Sequence, residues 1–82
     1  MQNQDIIDII KRNAVVPDIN DNDVTGSSSL MLDGILDSFG FLNLVSEIEK
    51  RLGAKFPASM ITMENFQTVD TISATANRLT TQ

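Results

Sequence analysis

Ser38 stands between Asp37 and Phe39 at the head of the most regular amphipathic stretch of the chain, and it is the residue best placed for chemistry. The sequence holds no histidine and no cysteine. A Ser-His-acid triad therefore has no base, which argues against a small serine hydrolase, and no thiol is present to attack or to bind metal in its place. A serine in this position without an activating imidazole points to a residue that another enzyme modifies. The plainer reading is a helix N-cap, a role serine favours and one worth about 1 kcal/mol. The two roles are compatible. A hydroxyl at a helix N-terminus faces open backbone N–H groups, and a phosphodiester carried there would meet the positive end of the helix dipole.

Other constellations are weaker. Asp18, Asn20 and Asn22 match the first ligand positions of a calcium loop, but Asp23 stands where the invariant glycine belongs and Ser29 where the bidentate glutamate belongs. No glycine-rich phosphate loop is present. The serine run 27–29 reads as a flexible linker, and Met31, Met60 and Met63 as adaptable core filler.

The 82 residues suffice for one domain, 1–82, and leave no room for a large enclosed active site. Net charge is −5, and it is unevenly spread: residues 1–38 hold seven acids against Lys11 and Arg12, whereas residues 39–82 hold four of each sign. No basic patch with interleaved aromatics exists, so nucleic acid and anionic membranes are not expected partners. No apolar run approaches the length of a membrane span, and Met1–Asp5 is too polar and acidic for a signal peptide. With no cysteine in the chain, these features fit the cytoplasm.

Five segments must position Ser38. Ile6, Ile9 and Ile10, with Ile7 beside them, predict a first helix over 4–13, with Asn3 as N-cap and Lys11 and Arg12 at the favourable end. Residues 14–37 read as a long connection punctuated by Pro17, Gly26 and Gly34, which Val24, Leu30, Met31, Leu32, Ile35 and Leu36 could pin to a core. A second main helix is expected over 38–52, because Phe41, Leu44, Val45, Ile48 and Leu52 share one face and Gly53 and Pro57 stop it. Phe39 and Leu42 fall about 160° and 100° from the centre of that stripe, so they reach the surface within a turn of Ser38. A short helix is expected over 60–66 and a last helix over 68–80, capped by Thr68 and buried along Val69, Ile72, Ala76 and Leu79. The fold class is all-α: a bundle of three main helices plus one short one, with a long first loop.

Leu32-Asp33-Gly34-Ile35-Leu36-Asp37-Ser38-Phe39-Gly40-Phe41-Leu42 resembles the attachment segment of the acyl carrier protein family. The resemblance extends over about residues 4–80 and includes the long first loop, the Gly53 stop, the Pro57 turn and Phe66-Gln67-Thr68-Val69. That family carries 4′-phosphopantetheine on the serine of an Asp-Ser-Leu-like motif, here Asp37-Ser38-Phe39 with phenylalanine in place of leucine. The resemblance implies an acyl-carrier-like bundle, covalent attachment at Ser38, and no catalysis by the chain itself. Asp37 would help present Ser38 to a phosphopantetheinyl transferase, Phe39 and Leu42 would be apolar partner contacts, and Leu44, Val45 and Ile48 would line the core that an attached acyl group enters. The carrier would be a monomer that takes acyl or aminoacyl thioesters from a loading ligase to downstream transferases or synthases. Carriers of fatty acid synthesis are strongly acidic along the second main helix. Here Glu47 and Glu49 are balanced by Lys50 and Arg51, which is equally consistent with a discrete carrier served by a stand-alone adenylating ligase. An alternative of another class is an unmodified helical interaction module that grips a partner helix through Phe39 and Leu42.

Overall fold

The computed structural model describes residues 1–80. Helix α1 spans Asn3–Asn13, α2 spans Asp21–Thr25, α3 spans Ser38–Leu52 and α4 spans Val69–Thr80, with one 3₁₀ turn at Ala58–Met60 and no strand among the described residues. The bundle is the all-α, acyl-carrier-like arrangement expected from the sequence.

Helix α1 packs against α2, α3 and α4. Neighbours on several sides explain why Ile6, Ile7, Ile9 and Ile10 are all buried, rather than one narrow stripe. Its cap is Gln2 and not Asn3, because the Gln2 N–H donates to Asp5 Oδ2 at 3.0 Å and so draws the chain into the helix one residue earlier. Two ion pairs tie its far end to the neighbouring helices: Lys11 Nζ to Asp21 Oδ1 at 2.8 Å and Arg12 Nη2 to Glu47 Oε2 at 2.6 Å.

The connection 14–37 is more ordered than its composition suggests. It contains α2, where the sequence predicts only a connection. Asn20 starts this helix with a reciprocal capping box: Asp23 N–H donates to Asn20 Oδ1 at 2.8 Å and Asn20 N–H to Asp23 Oδ2 at 3.3 Å. Val24 anchors it in the core. The Asn20 side chain is thus engaged in capping, and no cluster of metal-ligating residues exists among the described residues.

Nor is the serine run a flexible linker. Ser27 and Ser29 are buried, Ser27 Oγ donates to Asp33 Oδ2 at 2.6 Å, and Ser29 Oγ accepts from Leu32 N–H at 3.3 Å. Leu30, fully buried, donates its N–H to Gln67 O, and its carbonyl accepts from both Ile35 and Leu36. The tight turn that results, with Gly34 at φ 77°, directs Leu32 outward to 81% exposure instead of into the core.

Helix α3 buries Leu44, Val45 and Ile48 and half-buries Phe41 and Leu52. Phe41 and Phe56 each meet Phe66 edge to face, at 5.5 and 5.4 Å between ring centres. Gly53 ends the helix at φ 66°, and its N–H donates to Glu49 O at 2.9 Å.

The short helix expected over 60–66 is displaced. A 3₁₀ turn starts directly after Pro57, and 62–66 form one separate turn. Asn65 N–H donates to Thr62 Oγ1 and Asn65 Nδ2 to Met60 O, and these side-chain bonds compete with a continuous helix. Met63 is accordingly half out in solvent and fills no core space. Thr68 caps α4 as its position suggested, with its Oγ1 accepting from Thr71 N–H at 3.2 Å.

Candidate functional site

Ser38 is the first residue of α3, and the residues around it hold the backbone there. Before it, Ile35 and Leu36 are buried, and the Ile35 carbonyl accepts the Val15 N–H at 3.0 Å. Asp37 is extended, and it rather than Ser38 is the N-cap: its Oδ1 accepts the Gly40 N–H at 2.8 Å. The capping role weighed for Ser38 is therefore filled by its neighbour. The Ser38 side chain is exposed and enters no hydrogen bond among the described residues.

Gly40 holds the other side. A Cβ there would lie 2.8 Å from Asn13 O and 3.1 Å from Leu36 Cδ2. The absence of a side chain lets the first turn of α3 rest against the last carbonyl of α1. Gly40 is buried, so Ser38 projects from a turn whose base is packed and whose outer surface is open. Sequence reasoning passed over this residue. A glycine inside an otherwise regular helical pattern is the signal that marks it.

Phe39 and Leu42 stand at the surface as their helical positions required, at 77% and 63% exposure. Leu44, Val45 and Ile48 face inward and are packed in the core. The site thus brings Asp37, Ser38, Phe39 and Leu42 together at the surface, with the other three on the buried face of the same helix. Acidic character is concentrated near the serine. Asp33, close in sequence, has its carboxyl held below the usual carboxylate range, chiefly by the Ser27 hydroxyl and further by the Ser29 and Ser28 N–H groups, against partial desolvation. Further along α3 the charges are balanced, Glu47 and Glu49 against Lys50 and Arg51. Lys50 and Lys55 flank an open groove of about 410 Å³ lined also by Ser46, Glu49, Gly53 and Ala54.

A phosphodiester on Ser38 suits this geometry. The Ser38 and Phe39 N–H groups lie in the first turn of α3, where no carbonyl of the same helix reaches back to them. The positive helix end favours an anion. The nearest carboxylate, Asp37, is turned into its own hydrogen bond with Gly40.

A search of curated proteins returns no match. A family model described as the phosphopantetheine attachment site matches residues 4–77. The match takes in α1, the pinned loop, all of α3 and most of α4, which are the elements that fix Ser38 in place. A chain that builds this much of its fold around an open, unbonded serine and carries that signature throughout belongs to the phosphopantetheine-binding carrier family.

Proposed function

We propose that Ser38 is the attachment residue and that the chain carries acyl or aminoacyl groups as thioesters on the arm held there. Members of the family bear 4′-phosphopantetheine covalently and are carriers, not catalysts, that meet phosphopantetheinyl transferases and biosynthetic enzymes. The observation that carries the assignment to Ser38 is its state: an exposed side chain with no hydrogen bond among the described residues, held between buried Leu36 and Gly40 at a helix N-terminus. In the loading step Ser38 Oγ forms a bond to the pantetheine-side phosphorus of coenzyme A. The phosphoanhydride bond breaks, adenosine 3′,5′-bisphosphate leaves, and the serine proton passes to a base of the transferase.

Asp37, Phe39 and Leu42 form the docking edge beside the arm. Two exposed apolar side chains within acidic surroundings suit a brief encounter, because charge speeds approach and a small buried area keeps release fast. An apolar cargo that enters the protein must part the packed contacts of Leu44, Val45 and Ile48. The chain acts as a cytoplasmic monomer that raises the effective concentration of its cargo at each enzyme by tethering it.

The test is intact mass after incubation with coenzyme A, magnesium and a broad-specificity phosphopantetheinyl transferase. Wild type should gain one phosphopantetheine and Ser38→Ala none. A gain on Ser38→Ala would place the arm elsewhere. No gain on folded wild type would leave the exposed Phe39 and Leu42 as the anchors of an unmodified interaction module.

A further inference from the structure

The groove at the far end of α3 lies on the same side of that helix as Ser38. With about 100° of turn and 1.5 Å of rise per residue, Glu49, Gly53 and Ser46 fall within about 80° of the Ser38 direction, and Lys50 at about 120° forms the far wall. Ser46 lies about 12 Å from Ser38 along the axis and Gly53 about 22 Å. Leu42, exposed, sits between them at about 40°. A phosphopantetheine arm on Ser38, when extended, reaches about as far as five extended residues, roughly 17 Å. Its thiol end therefore reaches the groove by passing over Leu42, without entering the packed core.

The charges in the groove set what it accepts at that end. Lys50 and Lys55 enter no ion pair among the described residues, whereas Arg51, between them in sequence, pairs with Asp5. The one carboxylate in the lining, Glu49, accepts the Phe56 N–H at 2.8 Å, which ties it to the backbone at the edge of the groove. The two ammonium groups outnumber this carboxylate, so the groove lining is net positive and favours an anion over a cation.

We infer that the groove formed by Ser46, Glu49, Lys50, Gly53, Ala54 and Lys55 holds the outer end of the thioester cargo, and that it selects an acyl group bearing a free carboxylate. This rests on the attachment at Ser38, and it narrows the acyl-or-aminoacyl alternative to the acyl side, because an α-ammonium would meet the two lysines. The carboxylate end lies along α3 between Lys50 and Lys55, and a neutral chain of the same length has no such hold.

The experiment loads the ¹⁵N-labelled protein with succinyl- or butyryl-pantetheine, using the phosphopantetheinyl transferase and succinyl- or butyryl-coenzyme A, and compares amide shifts with those of the free-thiol form. The two cargoes have the same carbon count and differ in the carboxylate. Succinyl loading should shift the amides of residues 46–55 several-fold more than butyryl loading. The difference should vanish in Lys50→Ala/Lys55→Ala, which alters two exposed side chains and should gain the same mass. Equal shifts for the two cargoes, or shifts confined to Leu44, Val45 and Ile48, would overturn the groove assignment while leaving attachment intact. The absence of any mass gain would instead overturn attachment at Ser38, and the groove assignment with it.

Discussion

Asp37→Ala and Ser38→Ala should separate the residue that holds the turn from the one that is presented by it. Asp37 Oδ1 accepts the Gly40 N–H at 2.8 Å, so its removal leaves a first-turn donor without its cap, at a cost of about 1 kcal/mol. The lost anion at the positive helix end adds about 0.3–1 kcal/mol. The sum, about 1–2 kcal/mol, should lower Tm by about 4–8 °C for each kcal/mol in a domain of this size. Asp37→Asn keeps the acceptor and should lose only the dipole part. Ser38→Ala removes an exposed hydroxyl that enters no hydrogen bond among the described residues, so its stability should stay within about 0.5 kcal/mol of wild type. Urea unfolding followed by far-ultraviolet circular dichroism measures all three, and intact mass reports loading on the same samples. If Ser38→Ala is destabilised as much as Asp37→Ala, the serine is the true cap and the division of roles between the two residues is wrong.

Gly40→Ala places a methyl 2.8 Å from Asn13 O, a backbone atom that cannot swing aside. The crowding, about 1–3 kcal/mol, should outweigh the gain of about 1 kcal/mol in helix propensity, giving a lower urea midpoint and slower transfer of the arm to Ser38. A higher midpoint than wild type would show that α1 and α3 yield easily at this contact. Ser27→Ala removes the main cause of the depressed Asp33 carboxyl, whose titration, followed by ¹³C NMR, should move up toward the ordinary carboxylate range. Because the folded-state pKa of Asp33 lies below the unfolded value, its contribution to stability is present at neutral pH and is lost as pH falls through the folded value. In Ser27→Ala that acid-dependent loss should shrink, and an unchanged titration would refute the assignment of cause. Ile48→Ala empties a fully buried site and should cost about 2–5 kcal/mol, read as a fall in urea midpoint at unchanged slope. A smaller cost would mean that the inner wall of α3 collapses readily around the gap.

The main helices were legible because burial imposes a period. Ile6, Ile9 and Ile10 on α1, and Leu44, Val45 and Ile48 on α3, recur at helical spacing for the same reason that they are buried. The misreadings fall where side chains bond to the backbone within a few residues. The Asn20–Asp23 box, the Gln2–Asp5 contact, the Thr62 and Asn65 bonds and the Ser27–Asp33 clasp decide local structure without any apolar repeat. Asn, Asp, Ser and Thr favour caps and turns alike, so their presence signals a break in periodicity but not its geometry. That ambiguity hides α2 in the connection and puts the expected short helix at 60–66 instead of the 3₁₀ turn at Ala58–Met60.

The error about the N-terminus of α3 has a different origin and bears on the site. Asp37 and Ser38 are both good N-caps, and one residue of register decides between them. What decides it is tertiary. Leu36 is buried, with its side chain beside Gly40, and Gly40 lies so close to Asn13 O that a Cβ there would clash, and together these set which residue enters the first turn. With Asp37 as cap, the serine side chain is exposed and enters no hydrogen bond among the described residues. Such a hydroxyl is open to a modifying enzyme without disturbing a capping bond. Here the neighbours carry the structural load, so modification of Ser38 leaves the cap in place.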